Sequence, residues 1–107
     1  MCIRDSLGTG VLFAAAMAGA TSASALDGVI GVMSCSQHNL LDQLRPHRDS
    51  IHACTDITGF GLLGHLGEML LSSPTRRVTL LSHCIPSYPD ALDLLEHGYA
   101  SLSLIHI

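Results

Sequence analysis

Asp56 closes a short, largely apolar stretch, Ile51-His52-Ala53-Cys54-Thr55, and the glycine-bearing sequence Thr58-Gly59-Phe60-Gly61 follows it. A leucine-rich segment comes next. Strand, acid, glycine turn and helix, in that order, are the parts of a metal–phosphate site. A carboxylate at a strand end is a hard oxygen ligand of the kind Mg²⁺ takes. Glycines let backbone approach phosphate oxygens, and the N-terminus of the next helix carries partial positive charge. Asp56 is therefore a candidate metal ligand, with capping of the following turn and helix as its alternative role. Thr58, Gly59 and Gly61 are candidates for the phosphate side of the turn. Thr58 has the alternative of bonding within its own turn.

The other chemistry-bearing residues have simpler readings. His65 lies beyond the turn and is expected to face a polar interior or a domain interface. His38, His47, His52, His83 and His97 are scattered without zinc-ligand spacing. Cys54 has no neighbouring base to activate it. Cys35 and Cys84 read as small core residues, and the lack of C-x-x-C spacing suits reduced thiols. Gly61, Gly64 and Gly67 recur every third residue, which suggests a small helix face for close packing.

These residues need elements to hold them. The pattern predicts a helix over 10–18, then a polar break, Thr21-Ser22-Ala23-Ser24, whose hydroxyls can cap the next helix. Apolar residues at Leu26, Ile30, Met33, Leu40, Leu41 and Leu44 predict one amphipathic helix ending at Pro46, with Gln37 as its mismatch. A strand is expected over 51–55 and a turn over 56–60. A helix is expected over 61–72, with Leu62, Leu63, Leu66, Met69 and Leu70 inward. A second strand is expected over 77–81. Asp90 is expected to cap a last helix, and Gly98 to stop it. The order α–α–β–α–β–α implies an α/β (α+β layered) arrangement, with helices packed on a mixed sheet.

Composition narrows the function classes. The chain has 107 residues, 48% of them hydrophobic, and a net charge of −4. One domain or part of one fits that length, and the acidic balance argues against a nucleic-acid surface. There are five Arg and no Lys, so this chain supplies no phosphate-gripping lysine. Written in codons, residues 1–6 and 102–107 are reverse complements that match a sequencing adaptor. Both ends are therefore expected to be adaptor-derived, leaving 7–101 as native sequence. On that reading the signal-like run Val11-Leu12-Phe13-Ala14-Ala15-Ala16, with its Ala23-Ser24-Ala25 site, loses its basic start at Arg4. The run is also too short to span a bilayer.

Thr55-Asp56-Ile57-Thr58-Gly59-Phe60-Gly61-Leu62-Leu63-Gly64-His65 closely resembles a signature of the selenophosphate synthetase (selenide, water dikinase) family, T-D-(V/I)-T-G-F-G-L-L-G-H. Leu7-Gly8-Thr9-Gly10-Val11-Leu12 resembles that family's K-P-L-G-(T/I)-G-V-L without the leading Lys-Pro. Glu68-Met69-Leu70 continues the family pattern. Ile85-Pro86 followed by Asp90-Ala91-Leu92 resembles its lP-x-x-pGalel stretch. Phe13 to Ala25 and Ser82-His83-Cys84 depart from the family pattern. The likeness covers nearly all of 7–101 but only a minor portion of a full-length member.

The resemblance implies a partial PurM-like C-terminal domain from an enzyme that converts ATP, selenide and water to selenophosphate, AMP and phosphate. Its product supplies selenium for selenocysteine and selenium-modified tRNA. It also implies Mg²⁺ held by aspartates against ATP, with Asp56 matching the aspartate from the C-terminal half. The implied partners are the small molecules selenide and ATP and a second copy in a cytoplasmic homodimer, with no nucleic acid or membrane. The family's other metal aspartates, its catalytic Cys or selenocysteine and its Lys have no counterpart here. No catalytic residue is therefore expected in the chain, and the isolated chain is expected to be inactive. Two alternatives remain: another ATP-using enzyme of the PurM superfamily, and a small secreted binding protein with a signal peptide ending near Ala25.

Overall fold

A computed structural model describes residues 6–100 of the chain. The expected adaptor-derived ends therefore lie outside the described residues, apart from Ser6. Two compact units divide the chain: residues 37–80 form one, and the segments before and after them form the other.

The first unit is built on three helices. Helix α1 (Thr9–Met17) packs against α2 (Ala23–Met33) and α5 (Ala91–Glu96). Val11, Leu12, Ala15, Val29 and Ala91 are its buried apolar residues. The approach of α1 to α5 is close because Gly8 leads into it. Gly8 has φ 113, and a Cβ there would lie 2.5 Å from Ala91 Cβ. Leu7 forms an isolated parallel bridge with Ser87. Its N–H donates to Pro86 O at 2.9 Å, and its carbonyl accepts from Tyr88 N at 2.9 Å. Ser22 caps α2, accepting from Ala25 N at 3.2 Å, which realises one of the expected hydroxyl caps.

Asp90 departs from its expected role. It stands at the N-cap position of α5, but its φ is 65 and its side chain makes no capping bond. A capping side chain needs extended backbone to reach the N2 and N3 amides, and left-handed backbone turns it away. Gly98, with φ 90, stops α5 as expected.

The second unit holds α3 (His38–Leu44), a 3₁₀ segment (Arg45–Ser50) and α4 (Gly61–Leu71). The long helix expected to run to Pro46 is two helices. It breaks over 34–37, and Gln37, the polar mismatch, becomes the N-cap of α3. Ser34 Oγ donates back to Ile30 O at 2.8 Å at the end of α2. Such local side-chain bonding competes with helix continuation.

The expected mixed sheet is not seen among the described residues. The strands expected at 51–55 and 77–81 are irregular and exposed. A strand gains its ladder bonds only from a neighbour, and neither segment has one among the described residues. Leu63 is 73% exposed, which removes it from the expected inner face of α4. Leu62, Leu66, Met69 and Leu70 are half-buried. Cys35 is disulfide-bonded rather than a reduced thiol. Cys54 and Cys84 are free and exposed, so Cys84 is not a core residue. Among the described residues, no helix is long and apolar enough to cross a membrane.

Candidate functional site

The glycine turn is closed by backbone. Gly61 N–H donates to Thr58 O at 3.0 Å, and Gly61 takes φ 71. That angle lies in the left-handed region, where glycine carries no Cβ penalty. Gly59 is not among the positive-φ glycines, so only one of the two expected glycines provides an unusual angle. The turn delivers the chain into α4 with Phe60 at the N-cap position and no side-chain cap.

His65 is the buried residue of this unit, 8% exposed among the described residues. Its Nε2 lies 3.0 Å from Thr58 Oγ1. Its Nδ1 lies 3.2 Å from Glu68 Oε2. The Phe60 ring sits 5.6 Å from the imidazole, centroid to centroid, at a tilt of 51°. Phe60 folds back over Gly64, where a Cβ would lie 2.8 Å from Phe60 Cβ. The expected small face is thus used locally. Gly64 makes room for Phe60, while a Cβ at Gly67 would meet nothing.

Asp56 is exposed and lies in the irregular segment before the turn. Its backbone carbonyl accepts from Thr55 Oγ1 at 3.3 Å. Its carboxylate has no hydrogen-bond or ion-pair partner among the described residues, and it does not cap α4. Thr58 does not spend its hydroxyl within its own turn; it reaches His65. Of the expected site residues, the turn therefore gathers Thr58, Gly59 and Gly61 at the start of α4, with Asp56 two residues upstream of Thr58. Glu68 was legible only as part of a family pattern. Its i,i+3 spacing from His65 on a helix was the available signal.

No group of three or more His, Cys, Asp or Glu side chains able to hold a metal occurs among the described residues. A complete protein cage is thus not offered. One open carboxylate still suits Mg²⁺, which keeps several waters and takes one or two carboxylates with substrate phosphates. The clefts lined by Tyr88, Asp90 and Asp93 and by Ser22, His97 and Tyr99 belong to the first unit.

Comparison with known proteins gives the family. The family "AIR synthase related protein, C-terminal domain" matches residues 4–95. A selenide, water dikinase of Pelobacter propionicus is 37% identical over 98 residues, covering 92% of this chain and 27% of that protein. One of Desulfitobacterium hafniense is 36% identical over 99 residues, covering 92% of this chain and 26% of that protein. One of Treponema denticola is 33% identical over 101 residues, covering 92% and 27%. The chain thus spans about a quarter of the length of these relatives. No solved structure matches it. The matched residues include Gly8, the acid-and-glycine turn and α5 as far as Leu95, and the chain belongs to the AIR synthase related C-terminal domain family, with selenide, water dikinases among its relatives.

Proposed function

We propose that this chain is the part of a selenide, water dikinase that supplies one Mg²⁺-binding carboxylate, Asp56, to the ATP site. The proposed reaction converts ATP, selenide and water to selenophosphate, AMP and phosphate. The observation that carries this reading is the open Asp56 carboxylate immediately before a closed glycine turn at an uncapped helix N-terminus. The names of the relatives support the substrate class.

Phosphoryl transfer depends on positioning and charge neutralisation more than on covalent help from the protein, and bound Mg²⁺ supplies much of that neutralisation. Asp56 would hold the cation through an anionic oxygen. Gly61 allows the turn its left-handed angle, so the chain enters α4 with its first amides free of a side-chain cap. His65 and Glu68 hold the turn to the helix. On this proposal the remaining catalytic groups come from other segments of a full-length enzyme, and the 107-residue chain alone is inactive. The irregular segments 51–55 and 77–81 then find their sheet partners there. A cytoplasmic homodimer belongs to the same proposal and rests on the resemblance.

The test is direct. A full-length protein carrying this sequence is incubated with ATP, Mg²⁺ and selenide under anaerobic conditions and followed by ³¹P NMR. A selenium-coupled phosphorus signal, with AMP and phosphate, is expected. ATP turnover that is indifferent to selenide would overturn the substrate assignment.

A further inference from the structure

We infer that the glycine turn over 58–61 is held in its ATP-receiving shape before any ligand arrives, by a lock made of Phe60, Gly64 and His65. This inference rests on the reading of the turn as the part that meets ATP phosphates, and adds to it the residues that set its shape. Three observations carry it. His65 Nε2 lies 3.0 Å from Thr58 Oγ1 and its Nδ1 lies 3.2 Å from Glu68 Oε2, so one side chain ties the start of the turn to α4. The Phe60 ring lies 5.6 Å from the imidazole, and His65 is 8% exposed. Gly64 leaves the space that Phe60 fills, since a Cβ there would lie 2.8 Å from Phe60 Cβ.

A glycine-bearing turn has many conformations in a free chain. Ordering such backbone on binding costs free energy, and a turn ordered beforehand removes that cost from the binding step. Backbone alone closes this turn with one bond, from Gly61 N–H to Thr58 O at 3.0 Å. The contact of Thr58 with His65 holds it a second time, from the helix side, whichever ring nitrogen carries the proton. The Phe60 ring covers that contact, and a hydrogen bond sheltered from water is stronger. Neither partner of His65 is itself buried: Thr58 is exposed, and the Glu68 side chain is 58% exposed. Loss of the imidazole therefore leaves no buried polar group without a partner, and frees the turn without unfolding the helix. Phe60, Gly64 and His65 are positioning residues, acting through the backbone of the turn.

Two measurements test this. The first needs no ATP. Hydrogen exchange of a full-length protein carrying this sequence is read by mass spectrometry, with fragmentation of the peptide over 58–64 to single residues. In the unliganded wild type the Gly61 amide should exchange at least about tenfold more slowly than in an unfolded chain. His65→Leu and Phe60→Ala should remove most of that protection, and Phe60→Tyr, which keeps the ring, should retain it. A Gly61 amide that exchanges at the unfolded rate until ATP is added would overturn the inference, because the ligand would then be ordering the turn.

The second measurement reads KM for ATP against kcat. A preformed turn contributes to ground-state and transition-state binding alike, so loosening it raises KM and leaves kcat unchanged. Thr58→Val, Phe60→Ala and His65→Leu should each raise KM for ATP by about three- to tenfold, the effect of one net hydrogen bond, with Thr58→Ser near wild type. In the His65→Leu background, Thr58→Val should add little. If Thr58→Val raises KM by the same factor with and without His65, Thr58 acts on its own and the inference falls. It falls equally if KM for ATP is unchanged in all three variants. Failure of the proposed function shows separately, as ATP turnover indifferent to selenide or as a wild-type Mg²⁺ requirement in Asp56→Asn, and the exchange result then still decides the lock.

Discussion

A single methyl group at residue 8 tests how the first unit is held together. Gly8 has φ 113, and a Cβ there would lie 2.5 Å from Ala91 Cβ. Two separable costs follow for Gly8→Ala. A non-glycine residue in such a backbone region costs about 1–3 kcal/mol. Forcing a methyl into a filled contact, where carbons normally sit at about 3.5–4.0 Å, costs about 1–3 kcal/mol more. The sum, about 2–6 kcal/mol, is a large share of the roughly 5–15 kcal/mol that stabilises a domain. The loss should be severe because α1 meets α5 at this contact and the unit buries few other apolar side chains.

Urea unfolding followed by circular dichroism measures this loss in the wild type, Gly8→Ala, Ala91→Gly and the double variant. Ala91→Gly alone loses a buried methyl and helix propensity, about 1–2 kcal/mol. In the Gly8→Ala background it also relieves the clash, so its cost should shrink or reverse. The predicted coupling is about 1–3 kcal/mol and favourable to the pair. Strict additivity, or a Gly8→Ala chain as stable as wild type, would refute the close approach of α1 to α5.

Other substitutions follow from the same geometry. Asp90→Gly should stabilise the chain by up to about 1 kcal/mol, because it relieves a left-handed angle at a position whose side chain caps nothing; a lower urea midpoint would contradict that. Gly67→Ala should stabilise α4 by about 0.5–1 kcal/mol, since a Cβ there meets nothing, whereas Gly64→Ala should destabilise it by pressing on Phe60. Equal effects at these two glycines would show that Phe60 does not lie over Gly64.

What the sequence revealed depends on how local each cause is. Helices α1 and α4 were legible because glycine, serine and apolar spacing act within a few residues. The break between α2 and α3 was signalled by Gln37, although the spacing of leucines on either side carried one helix through it. The segments 51–55 and 77–81 have strand-like composition, yet a strand needs partners that composition does not name. Asp90 looked like a cap from its type alone. The position takes left-handed backbone, which the residue type does not signal. At the candidate site the turn and the left-handed Gly61 were readable from order and spacing. The bond from Thr58 to His65 crosses a turn whose geometry had to be seen, and the contact of Glu68 with His65 shows only once the imidazole is placed.

Asp56 is proposed to hold Mg²⁺ against ATP through its carboxylate. The Mg²⁺ dependence of selenide-driven ATP conversion in a full-length enzyme carrying this sequence, compared with its Asp56→Asn variant, decides this. Asparagine keeps the shape and removes the charge, so the account predicts at least about a tenfold loss of rate at limiting Mg²⁺. A variant with the wild-type rate and the wild-type Mg²⁺ requirement would contradict it.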